Sequence, residues 1–333
     1  MRRAPVLALA AVAALGTEPA SGQPVPPAPV AIAAPAGGGS FLRASDYRVQ
    51  AIVFRLGAAG RALCPEPFPL TGLAFHHLAE YGVGDRPRAI ADYGIDRGPG
   101  ILSVIEGSPA ARAGFIAGDV VVAVNGAALP SPTAIAAESD SQRWRPRIVA
   151  TEIAIEDQLR LGPGRLDLIR QGRPLTLTLA AEPGCPARGR LARSSQDNAF
   201  ADGRYTIMTT GFLDFFRTDS ELAVALAHEL AHNILRHPQQ LEAQGVPYGM
   251  MRHIGRNARL VRATEMEADR LSVRLLHAAG YDLDSILPFW QRVHGRLDSR
   301  LAVISAHPGR RAQEQNINAV IAEIRGAPPP APR

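Results

Sequence analysis

Three histidines and one glutamate lie close together in an otherwise apolar stretch of a chain that has nine histidines in all. The stretch, residues 223–237, reads AVALAHELAHNILRH. His228 and His232 are four positions apart, so on a helix both imidazoles project from one side. Two neutral imidazoles at that spacing suit tetrahedral Zn²⁺, and Glu229 can reach a zinc-bound water instead of the metal. The pattern predicts hydrolytic zinc chemistry. The alternative is that these are buried polar residues of a core helix that bind no ligand.

A catalytic zinc ion needs a third protein ligand and one open position. Leu235 and Pro238 stand where a metzincin would have glycine and histidine. His237 follows His232 by five residues, which turns it about 140° around a helix. We therefore expect His237 to be a helix C-terminal or surface residue, and the third ligand to come from elsewhere.

A second predicted helix, residues 258–284, offers that ligand. Glu265 and Asp269 are four apart on one face of it. Glu265 is placed to be a carboxylate ligand, and Asp269 to accept a hydrogen bond from a ligand imidazole and so fix its tautomer. The alternative is an exposed array in which the two carboxylates pair with Arg262 and Arg270.

The helix that carries the histidines has clear boundary signals. Thr218 and Glu221 stand in a capping-box relation, and the helix is expected to stop at Pro238. Its apolar face is formed by Leu222, Ala223, Leu226, Ala227, Leu230 and Ile234.

The segment before this helix, residues 66–187, is rich in predicted strands. A strand is followed by Ser108-Pro109, which favours the start of a short helix, and then by the buried strand DVVVAV. Asn125-Gly126 predicts a tight turn. An amphipathic helix, IVATEIAIEDQLRL, and the strand pair RLDLIRQGRPLTLTLA follow. This order, with the phrase GSPAARAG…GDVVVAVNG, resembles a bacterial PDZ domain across nearly the whole segment.

The PDZ resemblance implies capture of an extended peptide by strand addition beside a helix, with backbone N–H groups receiving its C-terminal carboxylate. The sequence GLAF, which comprises Gly72, Leu73, Ala74 and Phe75, is similar to the loop that binds the carboxylate, although Ala74 replaces the usual glycine. The alternative is a packing module without a ligand.

The second segment carries a more specific resemblance. HELAH followed by EMEAD, and preceded by NAFADGRYTIMTTGFLDF, is similar to the gluzincin metallopeptidases, the family of HtpX, the CAAX prenyl endopeptidases, BepA and LoiP. The similarity covers about residues 195–325, and NAFA at 198–201 resembles the family's substrate-side strand. It implies one zinc ion per chain, with the roles distributed as follows: ligands His228, His232 and Glu265, general base Glu229, and Asp269 as the partner of a ligand.

A later histidine also matches the family. SAHPGRRAQ is similar to the family's His-Pro followed by arginine, which implies that His307 lies near the zinc and steadies the oxyanion. Arg310 and Arg311 come closer to His307 than the family pattern has them. The alternative for His307 is an ordinary loop histidine.

The amino terminus predicts export. Residues 1–22 have two arginines, an apolar stretch and a small-residue region, as in a secretory signal peptide; the alternative is an uncleaved anchor. Residues 23–45 predict a Pro/Ala/Gly-rich linker, and 326–333 a flexible tail. No other run reaches about 18 apolar residues, so we expect a mature chain without a transmembrane segment. Export to a periplasm favours a disulfide between Cys64 and Cys185, whereas in a cytosolic protein they would be two unrelated thiols.

Charge does not indicate a nucleic-acid partner. The net charge is +5, but its 36 basic residues, all arginine, are scattered among 31 acidic ones without blocks.

Together these patterns predict an α+β protein of two domains: a PDZ-like β-barrel or sandwich with an N-terminal extension at 46–187, and a mainly helical zincin domain at 195–325. The expected function is a zinc endopeptidase of the cell envelope that degrades unfolded or misassembled polypeptides. Membrane site-two proteases bury HExxH in transmembrane helices, and PDZ-bearing aminopeptidases carry the PDZ domain after the catalytic domain, so neither matches. The remaining alternative is an envelope chaperone or adaptor with a non-catalytic zinc site.

Overall fold

The structure is a computed structural model that describes residues 40–130, 141–247, 254–299 and 309–326. The predicted signal peptide, most of the linker, nearly all of the tail, and His307 lie outside the described residues. The linker prediction is wrong at its end, because the chain is helical from Ser40 onward. Within the described parts, no helix has both the length and the apolar character needed to span a bilayer.

The amino-terminal part of the described chain is built around an antiparallel sheet. Its strands follow the order β2-β3-β4-β6-β7, with β5 paired to β4, while β1 pairs separately with β8. In chain order the elements are α1 (Ser40–Ala59), β1 (Phe68–Leu70), β2 (Leu73–His76), α2 (Arg86–Tyr93), β3 (Gly100–Val104), α3 (Pro109–Arg112), β4 (Val120–Val124), β5 (Ala127–Ala128), α4 (Ser141–Arg160), β6 (Gly164–Arg170), β7 (Arg173–Leu179) and β8 (Glu182–Gly184).

Local sequence signals account for the joints of this sheet. Ser108 caps α3, because its hydroxyl accepts a hydrogen bond from Ala111 N at 3.3 Å. Asn125 and Gly126 both have positive φ, 49° and 81°, as the tight turn between β4 and β5 requires. On one face of the sheet, alternate residues such as Leu166 and Leu168 pack under α4 in a first hydrophobic core.

The carboxyl-terminal part contains a small sheet and a group of helices. The sheet has the order β10-β11-β9, with β11 parallel to β9 and antiparallel to β10. The elements are β9 (Gly189–Ala192), β10 (Ala199–Ala201), β11 (Thr206–Thr209), α5 (Asp219–Ile234), α6 (His237–Ala243), α7 (Gly255–Ala278), α8 (Ile286–Ser299) and α9 (Arg310–Ile324).

Helix α1 joins the two parts of the fold. Its apolar residues enter the second hydrophobic core together with α5, α7, α8 and α9; they are Val49, Ile52, Val53 and Leu56. Its other side contacts the first sheet, where Ser103 donates a hydrogen bond to Gln50, and Glu106 N donates to Tyr47 Oη at 3.2 Å. The segment predicted as an N-terminal extension of the PDZ-like domain is therefore part of the core that holds the histidine helix.

A disulfide links the chain just before β1 to the chain just after β8. Cys64 and Cys185 are bonded, with their Cα atoms 5.6 Å apart and 121 positions separating them in sequence. The bond holds together the two chain crossings between the parts of the fold, beside the β1–β8 pair. All the described residues lie within one compact unit, so the two cores are not separate units by their contacts.

Candidate metal centre

Helix α5 is capped at its amino terminus, and its central turns are buried. The Thr218 hydroxyl accepts a hydrogen bond from Glu221 N at 3.2 Å. The Glu221 carboxylate in turn accepts from Arg217 N at 2.8 Å and is held by the Arg292 guanidinium of α8 at 2.6 and 2.9 Å. Leucines and alanines from Leu222 onward bury the helix on both sides. Its two histidines are consequently held inside the core.

The structure brings together the three residues predicted to bind zinc. His228 Nε2 lies 3.2 Å from His232 Nε2 and 3.3 Å from Glu265 Oε2, and His232 Nε2 lies 3.6 Å from Glu265 Oε1. All three residues are buried. Glu265 comes from α7, which packs along α5.

This donor set fits zinc. Tetrahedral zinc with bonds of about 2.0–2.1 Å places neighbouring ligand atoms about 3.3 Å apart. The separations observed between the imidazole nitrogens and the carboxylate oxygens, 3.2 to 3.6 Å, bracket that value. Two imidazoles and one carboxylate also match the ligand set of catalytic zinc sites, which leave a fourth position for water or substrate.

Asp269 lies behind His228, on the side away from the other ligands. Its Oδ1 is 3.1 Å from His228 Nδ1 and accepts a hydrogen bond from the Gln313 amide of α9 at 3.1 Å. The same Gln313 contacts His294 Nε2 through its oxygen at 2.8 Å. Asp269 therefore fixes the His228 ring with Nε2 directed to the cluster.

The two carboxylates make the cluster a site for a cation. Burial lowers the pKa of His228, but hydrogen bonds and charge interactions with Asp269 and Glu265 outweigh it and hold that pKa well above its ordinary value. Metal binding would require both ligand imidazoles to be deprotonated, so it would release any proton that they carry.

Trp290 supports the same imidazole from another direction. Its indole lies edge-on to the His228 ring, with centroids 5.3 Å apart, and it is buried beside Phe289 on α8. Neither Trp290 nor Gln313 was predicted from sequence, because each comes from a helix without a metal-ligand motif.

The prediction for His237 is wrong. His237 is fully buried, with Nδ1 2.9 Å from His232 Nδ1 and Nε2 3.2 Å from Glu267 Oε2. Helix α5 ends at Ile234, and Arg236 adopts a left-handed conformation with φ 57°. The chain reverses there and α6 begins at His237, so helical periodicity no longer locates this side chain. Burial and the neighbouring His232 lower the pKa of His237 to about 4.

Glu229 differs from its neighbours in exposure. Between Leu222 and Ile234 on α5 it is the one residue that is not buried. Glu229 is therefore more exposed than the ligands, whose side chains are at most 10% exposed.

The residues that resemble a peptide-binding loop line a separate cleft between β2 and α4. Phe54 of α1 completes its wall together with Arg188 and Arg190 from the carboxyl-terminal part. Among the described strands, β2 pairs with β3 and has no partner on its other edge. Arg190 donates a hydrogen bond to Phe75 O at 2.6 Å, so that edge is partly covered. The loop and α4 residues in the cleft include Gly72, Leu73, Ala74, Phe75, Ile155 and Leu159.

Two family models match parts of the chain. Residues 100–138 match the PDZ domain model, and residues 173–260 match the model of Peptidase family M48. The second match includes the two ligand histidines and Glu229 and ends before Glu265. The mitochondrial metalloendopeptidase OMA1 of Schizosaccharomyces pombe is 27% identical over 147 residues, which is 38% of this chain and 44% of that protein. The chain thus spans less than half of this relative's length. The likeness to metallopeptidases thus includes the histidine helix, and the likeness to PDZ domains lies in the amino-terminal part.

Two solved structures show a distant likeness. The HtrA3 PDZ domain bound to a phage-derived ligand (FGRWV) is 19% identical, covers 35% of this chain and 89% of that chain, and has a TM-score of 0.23. The HtrA-type protease AlgW with decapeptide is 22% identical, covers 35% of this chain and 29% of that chain, and has a TM-score of 0.22. Neither likeness carries a conclusion about this chain.

Proposed function

We propose that this protein is a zinc-dependent endopeptidase of the HtpX, BepA and LoiP type, exported to the periplasm, that degrades unfolded or misassembled polypeptides. The observation that carries the proposal is the buried cluster of His228, His232 and Glu265 with the half-buried Glu229 between the two histidines. A structural metal site has no use for an accessible carboxylate at that position. The predicted signal peptide and the Cys64–Cys185 disulfide support export.

The residues around the cluster have distinct tasks. The ligands and Asp269 would hold one zinc ion, which when bound lowers the pKa of water and polarises the scissile carbonyl. Glu229 accepts the proton of the attacking water and passes it to the leaving amine. Asp269 keeps His228 in the tautomer that presents Nε2. His307, a basic residue after the cluster in sequence, remains our candidate for steadying the oxyanion.

Strand β10 is the proposed binding place for an extended substrate. It lies at the edge of the three-stranded sheet, packs beside α5, and has a partner on one side among the described strands. An edge strand can take an extended polypeptide by backbone hydrogen bonding, which selects for unfolded segments rather than for a particular sequence. The PDZ-like part, which we assign to the region before residue 187, would bind a C-terminal peptide at Gly72–Phe75.

Metal removal tests the proposal. The full mature chain is incubated with unfolded casein in zinc, after exhaustive chelation, and after zinc is restored. We expect cleavage with zinc, its loss on chelation, and its recovery with one equivalent of zinc, because the described cluster would hold one ion. Stoichiometric zinc binding without any cleavage would contradict the proposal and favour a chaperone or adaptor with a non-catalytic metal.

A further inference from the structure

The two ligand histidines are supported on their outer sides by different residues. Asp269 lies 3.1 Å from Nδ1 of His228, and the corresponding atom of His232 faces another imidazole, His237 Nδ1, at 2.9 Å. His237 Nε2 then lies 3.2 Å from the Glu267 carboxylate. We propose that His237, backed by Glu267, is a positioning residue for the metal ligand His232. This inference rests on the proposed zinc site.

Proton positions along this chain of contacts follow from the metal site. His232 directs Nε2 toward His228 and Glu265, so this nitrogen must keep its lone pair for a metal. The proton of a neutral His232 is then on Nδ1. Since two nitrogens 2.9 Å apart share one hydrogen, His237 Nδ1 accepts that proton's hydrogen bond. His237 therefore carries its own proton on Nε2, and this N–H donates a hydrogen bond to the Glu267 carboxylate.

This arrangement fixes the ring of His232 in the way that Asp269 fixes the ring of His228. Because the Nδ1–H of His232 donates a hydrogen bond to His237, His232 keeps the tautomer and ring orientation that a metal ligand requires. The Glu267 carboxylate on the far side of His237 raises the basicity of His232. Helix α7 supplies both carboxylates, Asp269 for one histidine and Glu267 for the other.

The fold brings His237 to this place at a conformational cost. Arg236 has φ 57°, an uncommon value for a residue with a side chain. The reversal at Arg236 ends α5, and α6 starts at His237 with Pro238 in its first turn. As a result His237 is 0% exposed and lies against the ligand helix instead of in solvent.

The test is zinc affinity, measured in the full mature chain by competition with a chromophoric chelator. His237→Leu introduces an apolar side chain of similar size, which cannot accept the hydrogen bond from His232. We expect it to bind zinc about 10- to 100-fold more weakly than the wild type, the usual effect of losing an outer hydrogen-bond partner of a ligand. His237→Asn places an amide oxygen near the position of Nδ1, and we expect it to restore most of the affinity.

His237→Gln is the matched comparison for His237→Asn, because its amide lies near the position of Nε2 and cannot reach His232 in the same way. It should bind more weakly than His237→Asn. Glu267→Gln should weaken binding less than His237→Leu, since the Glu267 side chain is 60% exposed. Glu242→Gln, an exposed change on α6, should leave the affinity at the wild-type value.

Three outcomes would overturn the inference. One is a folded His237→Leu variant that binds zinc within about threefold of the wild type, short of the expected tenfold loss. If His237→Leu does not fold, equal affinities of the Asn and Gln variants do the same, because simple packing would not distinguish them. A Glu242→Gln variant as weak as Glu267→Gln would assign the effect to surface charge. Failure of the wild type to bind zinc would instead refute the proposed function itself.

Discussion

The Glu229→Gln variant is expected to cleave an unfolded protein at least about a hundredfold more slowly than the wild type, with unchanged zinc affinity. A positioned general base contributes roughly 10²- to 10⁴-fold to such reactions, and glutamine cannot accept the proton. The substitution preserves size, and Glu229 is partly exposed whereas the ligand histidines are buried, so the ligands should not move. Initial rates of casein cleavage and chelator competition measure the two quantities.

Glu242→Gln is the control for this experiment, because it removes one exposed carboxylate from the neighbouring helix α6. It should cleave at the wild-type rate. If Glu229→Gln retains more than about a tenth of the wild-type rate, the loss falls short of general-base catalysis and Glu229 is not the base.

The Glu152→Ala variant should lose about 3–5 kcal/mol of unfolding free energy, the usual cost of breaking a buried ion pair from one side. Glu152 of α4 is buried and accepts hydrogen bonds from Arg190 and Arg204, each at 2.8 Å, and from Tyr205 at 2.6 Å. The two arginines and the tyrosine come from the part of the fold that carries the metal cluster. Removing the Glu152 carboxylate leaves the two guanidinium groups and the tyrosine hydroxyl without this buried hydrogen-bond acceptor. Urea denaturation measures the difference.

Asp157→Ala on the same helix is the matched control, because its side chain is 64% exposed and its ion pair with Arg160 is 3.7 Å long. It should cost less than about 1 kcal/mol. Equal losses for Glu152→Ala and Asp157→Ala would show that the buried charges do not join the two parts of the fold.

Acid should reveal the same network. Burial raises the pKa of Glu152, but the His77 hydrogen bond and the charges of Arg190 and Arg204 outweigh it and hold the pKa well below its ordinary value of 4.5. A carboxylate with a depressed pKa in the folded state contributes stability above its unfolded pKa and loses it as the pH falls further. Below about pH 4.5 the wild type should therefore lose stability more steeply than Glu152→Gln. Parallel pH dependences of their urea midpoints would contradict this.

The metal cluster was predictable because its information is local. His228 and His232 share a helical face through their spacing, and Glu265 with Asp269 repeats that spacing on the next long helix. Helical periodicity then needs one further assumption, that the two helices pack together, and the apolar faces make that packing favourable.

His237 shows where the same reasoning fails. Periodicity applies only while the backbone stays helical, and the chain leaves that conformation at Arg236, a residue with no special tendency to positive φ. Proline after His237 predicts the stop of one helix, yet proline is equally favoured in the first turn of the next. The position of Pro238 is thus also the sequence signal for a new helix that begins at His237.

Other parts of the site depend on distant chain segments. Gln313, Trp290 and the ion pairs of Glu152 reach their partners from helices and strands far away in sequence, and arginine is common throughout this chain. The start of helix α1 is difficult to predict from the sequence, because Pro- and Gly-rich residues come directly before it. Its apolar residues have helical spacing, but the sequence does not say which of the two cores they enter.

The most direct test of the account is an anomalous-scattering map at the zinc edge from crystals of the zinc-loaded Glu229→Gln variant. The account predicts one peak within about 2.0–2.2 Å of Nε2 of His228, Nε2 of His232 and a carboxylate oxygen of Glu265. A peak bound by other residues, or a chain saturated with zinc that shows no peak between α5 and α7, would contradict it.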